Sequence, residues 1–566
     1  MSEFKSNAAQ AGVETISRAG ISAVFGNPGT TELPLMQALS RHPEITYYLG
    51  LHEGVSVGMA AGYAAASGTI GVVMLHATPG VSNGLSNYYN AYRNGLPVLM
   101  ISGQSDRGHQ FLDPMLYGNL EQATAPYSKW TWEARTAEEI PAIMGRAICE
   151  AVSAPTGPTF LSLPLDLQLQ DLPGAHPVAA VVPRCGPALQ ADIAKCVELL
   201  MTARSPAIVA GDLIGRERCG DRLAEFATEA AVAAYWEPMS HFANFPAHTP
   251  AFQGVLFPSG EDFRRVFAEH DVVLWCGSDL RAPLLYDGSL WHGTDSKVIV
   301  LSDHAGGINN GFLPELAMVG NPRATIEQMI MLLQSARYEA SVAKRDERRA
   351  KLGALAAERR AKILAAADKR AQQSPLAPVS VIARLLSLLP TNAIVVDDAV
   401  SNSGWVSLCG QYQDEVAYLG PSKGGGIGFG LPVALGAQVA HPQRPVVAFI
   451  GDGAAMYSIQ GLWTAAHYKL PIIFVILNNS SYRILKGGLA TMFGDTIDSD
   501  SLSKIAGFDL NNPQIDFVAL ATSLGIEAVR AETLDACTEA MRAALDSKRP
   551  WLLEISVERD VRKVLR

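Results

Sequence analysis

Gly451-Asp452-Gly453 and Asn478-Asn479, separated by the 24 residues 454–477, are the residue types and spacing in this chain that promise chemistry. An Asp carboxylate, an Asn amide oxygen and a neighbouring backbone carbonyl are the hard oxygen donors that magnesium takes. The glycines and the start of a helix let backbone N–H groups close on a diphosphate. Either dipeptide alone reads as an ordinary turn, since Asp-Gly and Asn-Asn are common turn formers. Together, each follows an apolar run, at 446–450 and 472–477. That puts both at the carboxyl edge of one sheet, where α/β folds bind ligands.

The elements that must position them recur along the chain. With 566 residues, three or four domains are expected. Short apolar runs at 23–25, 46–49, 71–75, 98–102 and 159–163, separated by helical patterns, predict a parallel sheet covered on both faces within a domain of residues 1–180. A Pro-rich stretch at 172–187 reads as a linker. Runs at 207–210, 272–276 and 298–302 predict a middle domain, 190–335. Residues 341–372 are dense in Ala, Lys, Arg and Glu, with one Gly and no Pro, as in a solvated connecting helix. Runs at 393–396, 446–450, 472–477 and 551–555 place a third domain at 375–566. The fold class is α/β, with three doubly wound parallel-sheet domains.

The two outer domains follow one script. Residues 62–103 and 436–479 each run helix end, strand, turn, helix, then Leu-Pro and an apolar strand. From His76 to Pro97 is 21 positions, and from Gly451 to Pro471 is 20. A duplication and the independent use of a common fold both explain such a match.

Composition narrows the classes of function. Hydrophobic residues are 48% and charged residues 18%, which excludes a disordered chain. The net charge of −10, without a Lys/Arg run, offers nucleic acid no electrostatic footprint. Seven scattered cysteines without a CxxC pair indicate neither a disulfide framework nor a zinc site, and suit a reducing compartment. The N-terminal 20 residues lack the apolar core of a signal peptide, and runs such as 470–477 are far shorter than the roughly 20 residues a bilayer needs. A cytoplasmic protein with no membrane or nucleic-acid partner is expected.

With GDG, about two dozen residues and NN in place, the chain resembles the thiamine-diphosphate-dependent decarboxylase and acetolactate synthase superfamily. FGNPGTTELP (25–34), LHEGVSVGMAAGYA (51–64), KGGGIGFGLPVALGAQVA (423–440) and GDGAAMYSIQGLWTAAHYKLPIIFVILNN (451–479) are most similar to the benzoylformate decarboxylases within it. The resemblance implies thiamine diphosphate and Mg2+ as cofactors, and pyrimidine-binding, middle and diphosphate-binding domains in that order. It implies a homodimer at least, as a homotetramer. FAD is not expected, because Gly211 and Gly215 make no GxGxxG. By motif, Asp452, Asn479 and the Ser481 carbonyl would hold magnesium, with Gly451, Gly453 and Ser401 against the cofactor. Glu53, contributed across a dimer interface, would share a proton with the aminopyrimidine ring; taken alone it reads as a surface or capping residue. Ile427 matches the apolar wedge that bends the cofactor, and by itself equally fits a core position. His76 matches an active-site histidine that contacts the substrate carboxylate and moves protons. Thr30 aligns with a substrate-binding serine, or caps the helix that begins near Glu32.

Departures from the family pattern bear on the substrate. Aligned through Tyr286-Asp287, the position of a second catalytic histidine holds Leu284, which transfers no proton; His292 is the nearest histidine in sequence. Arg483, Ile484 and Lys486 stand where related decarboxylases carry small and aromatic residues, and Lys423 precedes the Gly run. Solvated side chains are the simple reading of each cation, while a second anionic group on the substrate is the functional one. The function expected is a lyase, a non-oxidative 2-oxo-acid decarboxylase with carboligase activity as a further capacity. The alternatives are a carboligase or lyase of the 2-hydroxyacyl-CoA lyase or acetolactate synthase type, acting on an aldehyde or acyl-CoA, and a cofactor-binding protein that has lost turnover.

Overall fold

Eighteen strands form three sheets in the structure, a computed structural model that describes residues 7–172, 182–183, 185–278, 284, 296–308, 313–335, 342–493, 502 and 505–559. The first sheet comprises β1 (Ala23–Asn27), β2 (Thr46–Leu49), β3 (Gly71–Leu75), β4 (Val98–Gln104), β5 (Trp130–Glu133) and β6 (Thr159–Pro164), in the order 2-1-3-4-6-5. The second comprises β7 (Pro206–Ala210), β8 (Ala233–Trp236), β9 (Phe252–Val255), β10 (Val272–Cys276), β11 (Lys297–Ser302) and β12 (Leu316–Val319), in the order 12-11-10-7-8-9. The third comprises β13 (Ile394–Asp398), β14 (Tyr418–Leu419), β15 (Val446–Gly451), β16 (Ile472–Asn478), β17 (Glu527–Ala531) and β18 (Trp551–Ser556), in the order 14-13-15-16-18-17. Every pairing is parallel. The chain is therefore three α/β units. Between the second and third units runs a helix of 28 residues, Val342–Lys369.

The central strands are the apolar runs that the sequence exposes, because a parallel strand covered on both faces must be apolar throughout. The strands absent from the sequence reading are mostly at sheet edges. β17 is one such, exposed or half-buried along most of its length. β14 has only two residues. Neither leaves a run to detect.

The outer sheets share one strand order, with each strand of the first matched by its counterpart in the third. In both, the order reverses between the first and third strands of the domain. There, neighbouring carboxyl ends part and open the crevice that α/β folds use for ligands. The helix after β2, Glu53–Ser67, crosses the helix after β14, Gly430–Ala440, so counterpart elements meet each other. The crossing needs glycine on both sides: a Cβ on Gly62 would lie 2.3 Å from the Val433 carbonyl oxygen, and one on Gly436 2.0 Å from that of Met59. One apolar cluster runs from Phe25 and Val73 through this crossing to Val396 and Phe474. A second joins Ile208 and Trp236 of the middle sheet to Val447 and Val475 of the third. Among the described residues, no helix is long and apolar enough to cross a membrane.

Candidate active site

Two clusters of chemistry-bearing residues sit at the two equivalent crevices. In the third sheet, Gly451 ends β15 and Asp452 opens the short helix Asp452–Ala455, while Asn478 ends β16. Asp452, Asn479 and Ser481 are buried together. Burial pushes the Asp452 carboxyl up to about 6, against the backbone N–H groups that favour its charge. Among these is the Ser481 N–H, which donates to Oδ2 at 3.2 Å. The Oδ1 of Asn479 is buried with no hydrogen-bond partner. A buried carboxylate short of compensation beside an orphaned amide oxygen is a donor set that fits a divalent cation. The turn is drawn tight enough to hold it: Ser480, between Asn479 and Ser481, has φ 50°, and a Cβ on Gly453 would lie 2.4 Å from the Tyr482 ring.

Across the switch, β13 ends in Asp397 and Asp398, followed by the turn Val400–Asn402, which carries a half-buried Ser401. Val400 has φ 51°, a conformation that costs a β-branched residue energy and that the surroundings must enforce. Burial pushes Asp398 up to about 7. Its Oδ2 accepts from the Gly428 and Gly430 N–H groups at 3.0 Å each, immediately beyond Ile427. Ile427 is partly buried and packs against the cluster shared by the outer domains.

In the first sheet the equivalent position, just past β3, is His76. Its Nδ1 is 2.9 Å from Glu32 Oε2 and 3.1 Å from Thr31 Oγ1. Glu32 is fully buried (0% exposed) above the ends of β1, β3 and β4. Besides His76, it accepts from Gly29 N at 3.0 Å, Gly103 N at 2.6 Å and Thr31 Oγ1 at 2.7 Å. With so many donors on its two oxygens, Glu32 takes the proton-bearing Nδ1 of His76. That fixes the tautomer and leaves Nε2 as the free base. The ring lies flat on Gly29, where a Cβ would come within 2.1 Å of it. Ala77, next in the chain, has φ 42°. Glu53 opens its helix half-buried, and its Oε2 accepts from Asn83 Nδ2 at 3.0 Å. Thr30 is exposed, and the helix Leu33–Leu39 has no side-chain cap.

Glu32 escaped the sequence reading. Its signal was present, since a Glu three residues after the Gly that starts a turn has the spacing of a capping box, and one Glu32 oxygen does cap Gly29. The same oxygen also holds the histidine, which spacing does not reveal.

The charged candidates near the pocket are otherwise engaged. Lys423 is corrected: its side chain is 1% exposed, with Nζ 2.8 Å from Asp212 and 2.5 Å from Glu237, so it faces two carboxylates of the middle domain instead of a substrate anion. Arg483 is buried, donates to Asn402 Oδ1 at 3.4 Å, and lies 4.0 Å from Glu558. Lys486 pairs with Asp509 at 2.7 Å. Ile484 is exposed. Leu284 is 80% exposed in the single chain, its N–H on the Pro258 carbonyl at 2.8 Å. Tyr286, Asp287 and His292 lie outside the described residues. Gly211 and Gly215 serve close packing, against the backbone of Ser278 and the ring of Phe242. Among the described residues, no hydrogen bond or ion pair links Glu53 or His76 to Asp452, Asn479 or Ser481.

Comparison with known proteins matches three family models in chain order. These are the N-terminal TPP binding domain (6–123), the central domain (193–329) and the C-terminal TPP binding domain (398–555) of thiamine pyrophosphate enzymes. The chain is 31% identical to benzoylformate decarboxylase of Pseudomonas aeruginosa, over 97% of this chain and 98% of that protein. It is 26% identical to the acetolactate synthase isozyme 3 large subunit of Escherichia coli, over 91% of this chain and 88% of that one. Among solved structures, the thiamine diphosphate-dependent 4-hydroxybenzoylformate decarboxylase of Rhodococcus jostii RHA1 superposes with a TM-score of 0.85 at 28% identity. That match covers 98% of this chain and 100% of the other.

Proposed function

Because the chain belongs to the thiamine pyrophosphate enzymes, we propose that it is a non-oxidative 2-oxo-acid decarboxylase that uses thiamine diphosphate and magnesium. Asp452, the Asn479 amide oxygen and the Ser481 carbonyl hold the metal, and Gly451, Gly453 and Ser401 lie against the diphosphate. The orphaned Asn479 Oδ1 supports this assignment, since a cation would supply the partner it lacks. When bound, the cofactor supplies a carbon nucleophile and a sink for the electrons released with carbon dioxide. Ile427 presses on the cofactor as an apolar wedge. Glu53 holds a proton at the pyrimidine ring. Since no hydrogen bond or ion pair joins the two clusters among the described residues, a second copy brings Glu53 and His76 to the metal cluster, and the working unit is a homodimer or a tetramer of such pairs.

The observation that carries decarboxylation is His76 on Glu32. A carboxylate engages Nδ1, which leaves Nε2 as the nitrogen to meet the substrate carboxylate and then return a proton to the reacting carbon. The exposed Thr30 hydroxyl lies in the turn that leads to Glu32 and is the second contact for the carboxylate. Leucine at 284 favours carboligation as a further capacity, since it offers no proton to end the reaction at the aldehyde. The test is carbon dioxide release from a panel of 2-oxo acids, with and without thiamine diphosphate and magnesium. Release that needs both, from at least one 2-oxo acid of the panel, is expected. Carbon dioxide release whose organic product is the joined hydroxy-ketone acid in place of the free aldehyde would move the assignment to a synthase, and joining of two aldehydes with no release from any 2-oxo acid would move it to a carboligase or lyase.

A further inference from the structure

The chain from Gly420 to Gly430 reads GPSKGGGIGFG and carries Ile427 among glycines at 424, 425, 426 and 428. Such a backbone has little conformational preference of its own. Asp398 of its own domain holds the Gly428 and Gly430 end, and the rest is held by groups of the other two domains. His241 of the middle domain brackets the start: its carbonyl accepts from Gly420 N at 2.8 Å, and its Nδ1 lies 2.8 Å from the Gly420 carbonyl. Asn94 Oδ1 accepts from Lys423 N at 3.0 Å. Asn90 grips Gly426 from both sides, with Nδ2 donating to its carbonyl at 2.9 Å and Oδ1 accepting from its N–H at 3.1 Å.

Lys423 is the strongest of these ties. Asp212 follows β7, Glu237 follows β8 and Ser278 follows β10, so the ammonium enters the carboxyl edge of the middle sheet at its own point of strand reversal. The two carboxylates are also bound from their own side. Asp212 Oδ1 accepts from Asn244 Nδ2 and His241 N, both at 2.9 Å, and Glu237 Oε2 accepts from Ser278 Oγ at 2.7 Å. All three charges are removed from solvent, where an ion pair has no water to compete with it. The crevice that doubly wound domains keep for a ligand is thus filled by a side chain from the third domain.

We propose that Lys423 is a positioning residue, which uses the ligand crevice of the middle domain as an anchor for the glycine-rich loop and so fixes Ile427. The part concerning Ile427 rests on its role as the wedge, proposed above; the anchoring does not. Lys423→Met alone would strand two buried carboxylates and could unfold the chain, so the informative variant is K423M/D212N/E237Q, which removes all three charges and keeps the shapes. Amide exchange at 424–428 in the full chain without cofactor should rise at least about tenfold in this variant, with the exchange of β15 and β16 unchanged. With thiamine diphosphate and magnesium added, the circular-dichroism band of the aminopyrimidine in its imine form should weaken. Unchanged exchange at 424–428 in a folded triple variant overturns the anchoring. Ile427→Ala separates the two readings, since it should lower turnover while leaving loop exchange as in the parent. Full turnover in Ile427→Ala would refute the wedge, whereas raised exchange in the triple variant would still support the anchor.

Discussion

Glu32 is buried with its oxygens shared among His76, Thr31 and two backbone N–H groups. Glu32→Gln replaces one acceptor oxygen with a donor, which turns the His76 tautomer over and should lower turnover roughly 10- to 100-fold, with cofactor affinity retained. Steady-state kinetics beside calorimetry would separate the two quantities. Glu53→Gln should cost at least about 100-fold in turnover, the scale for an acid-base group, and near-normal rates would refute its role. Asp398 makes a prediction in pH. Burial raises its folded value to about 7, above the ordinary carboxylate range, so its contribution to stability is full at low pH and is lost as pH rises toward about 7. The melting temperature of the apoprotein should therefore change between about pH 4 and 7 with a less negative slope in Asp398→Asn, whose amide oxygen still accepts from Gly428 and Gly430. Equal slopes would remove Asp398 from this account. At this scale the sequence revealed residue types and missed their partners. Asp212 and Glu237 lie about two hundred positions before Lys423, so no local pattern could show that its charge was already matched.

At the scale of elements, buried and exposed strands differ in how far they can be read. β3, β15 and β16 are buried at every position, and their apolar runs mark them to within a residue or so. β5 and β17 sit at sheet edges, half-wet, and leave no such run. The turns after the central strands were legible as breaks in the apolar pattern. Helix contacts were not legible, since the crossing of Glu53–Ser67 and Gly430–Ala440 depends on two glycines that a sequence reader takes for ordinary helix residues. Gly436→Val would drive a branched side chain into the backbone at Met59 and should destabilise the chain by about 1–3 kcal/mol or more, measured by urea unfolding. An unchanged midpoint would mean that the helices can part without cost.

Over the whole molecule, two domains of one strand order carry the two halves of the proposed site at equivalent crevices. The first holds bases and hydrogen-bonding groups, Glu53, His76 and Glu32. The third holds Asp452 and Asn479, the proposed cation donors. The matching scripts around His76 and Gly451 made this correspondence visible in sequence, and among the described residues no hydrogen bond or ion pair joins the halves. The proposed working site takes its first half from one copy and its second from another. Mixing inactive Glu53→Gln and Asp452→Ala proteins, after exchange of subunits, tests it by carbon dioxide release from a 2-oxo acid that the unmodified enzyme accepts. In random pairs, half are hybrids with one intact site of two, so recovery of roughly a quarter of the parent activity is predicted. A mixture no more active than either variant alone, with subunit exchange demonstrated, would contradict the shared site.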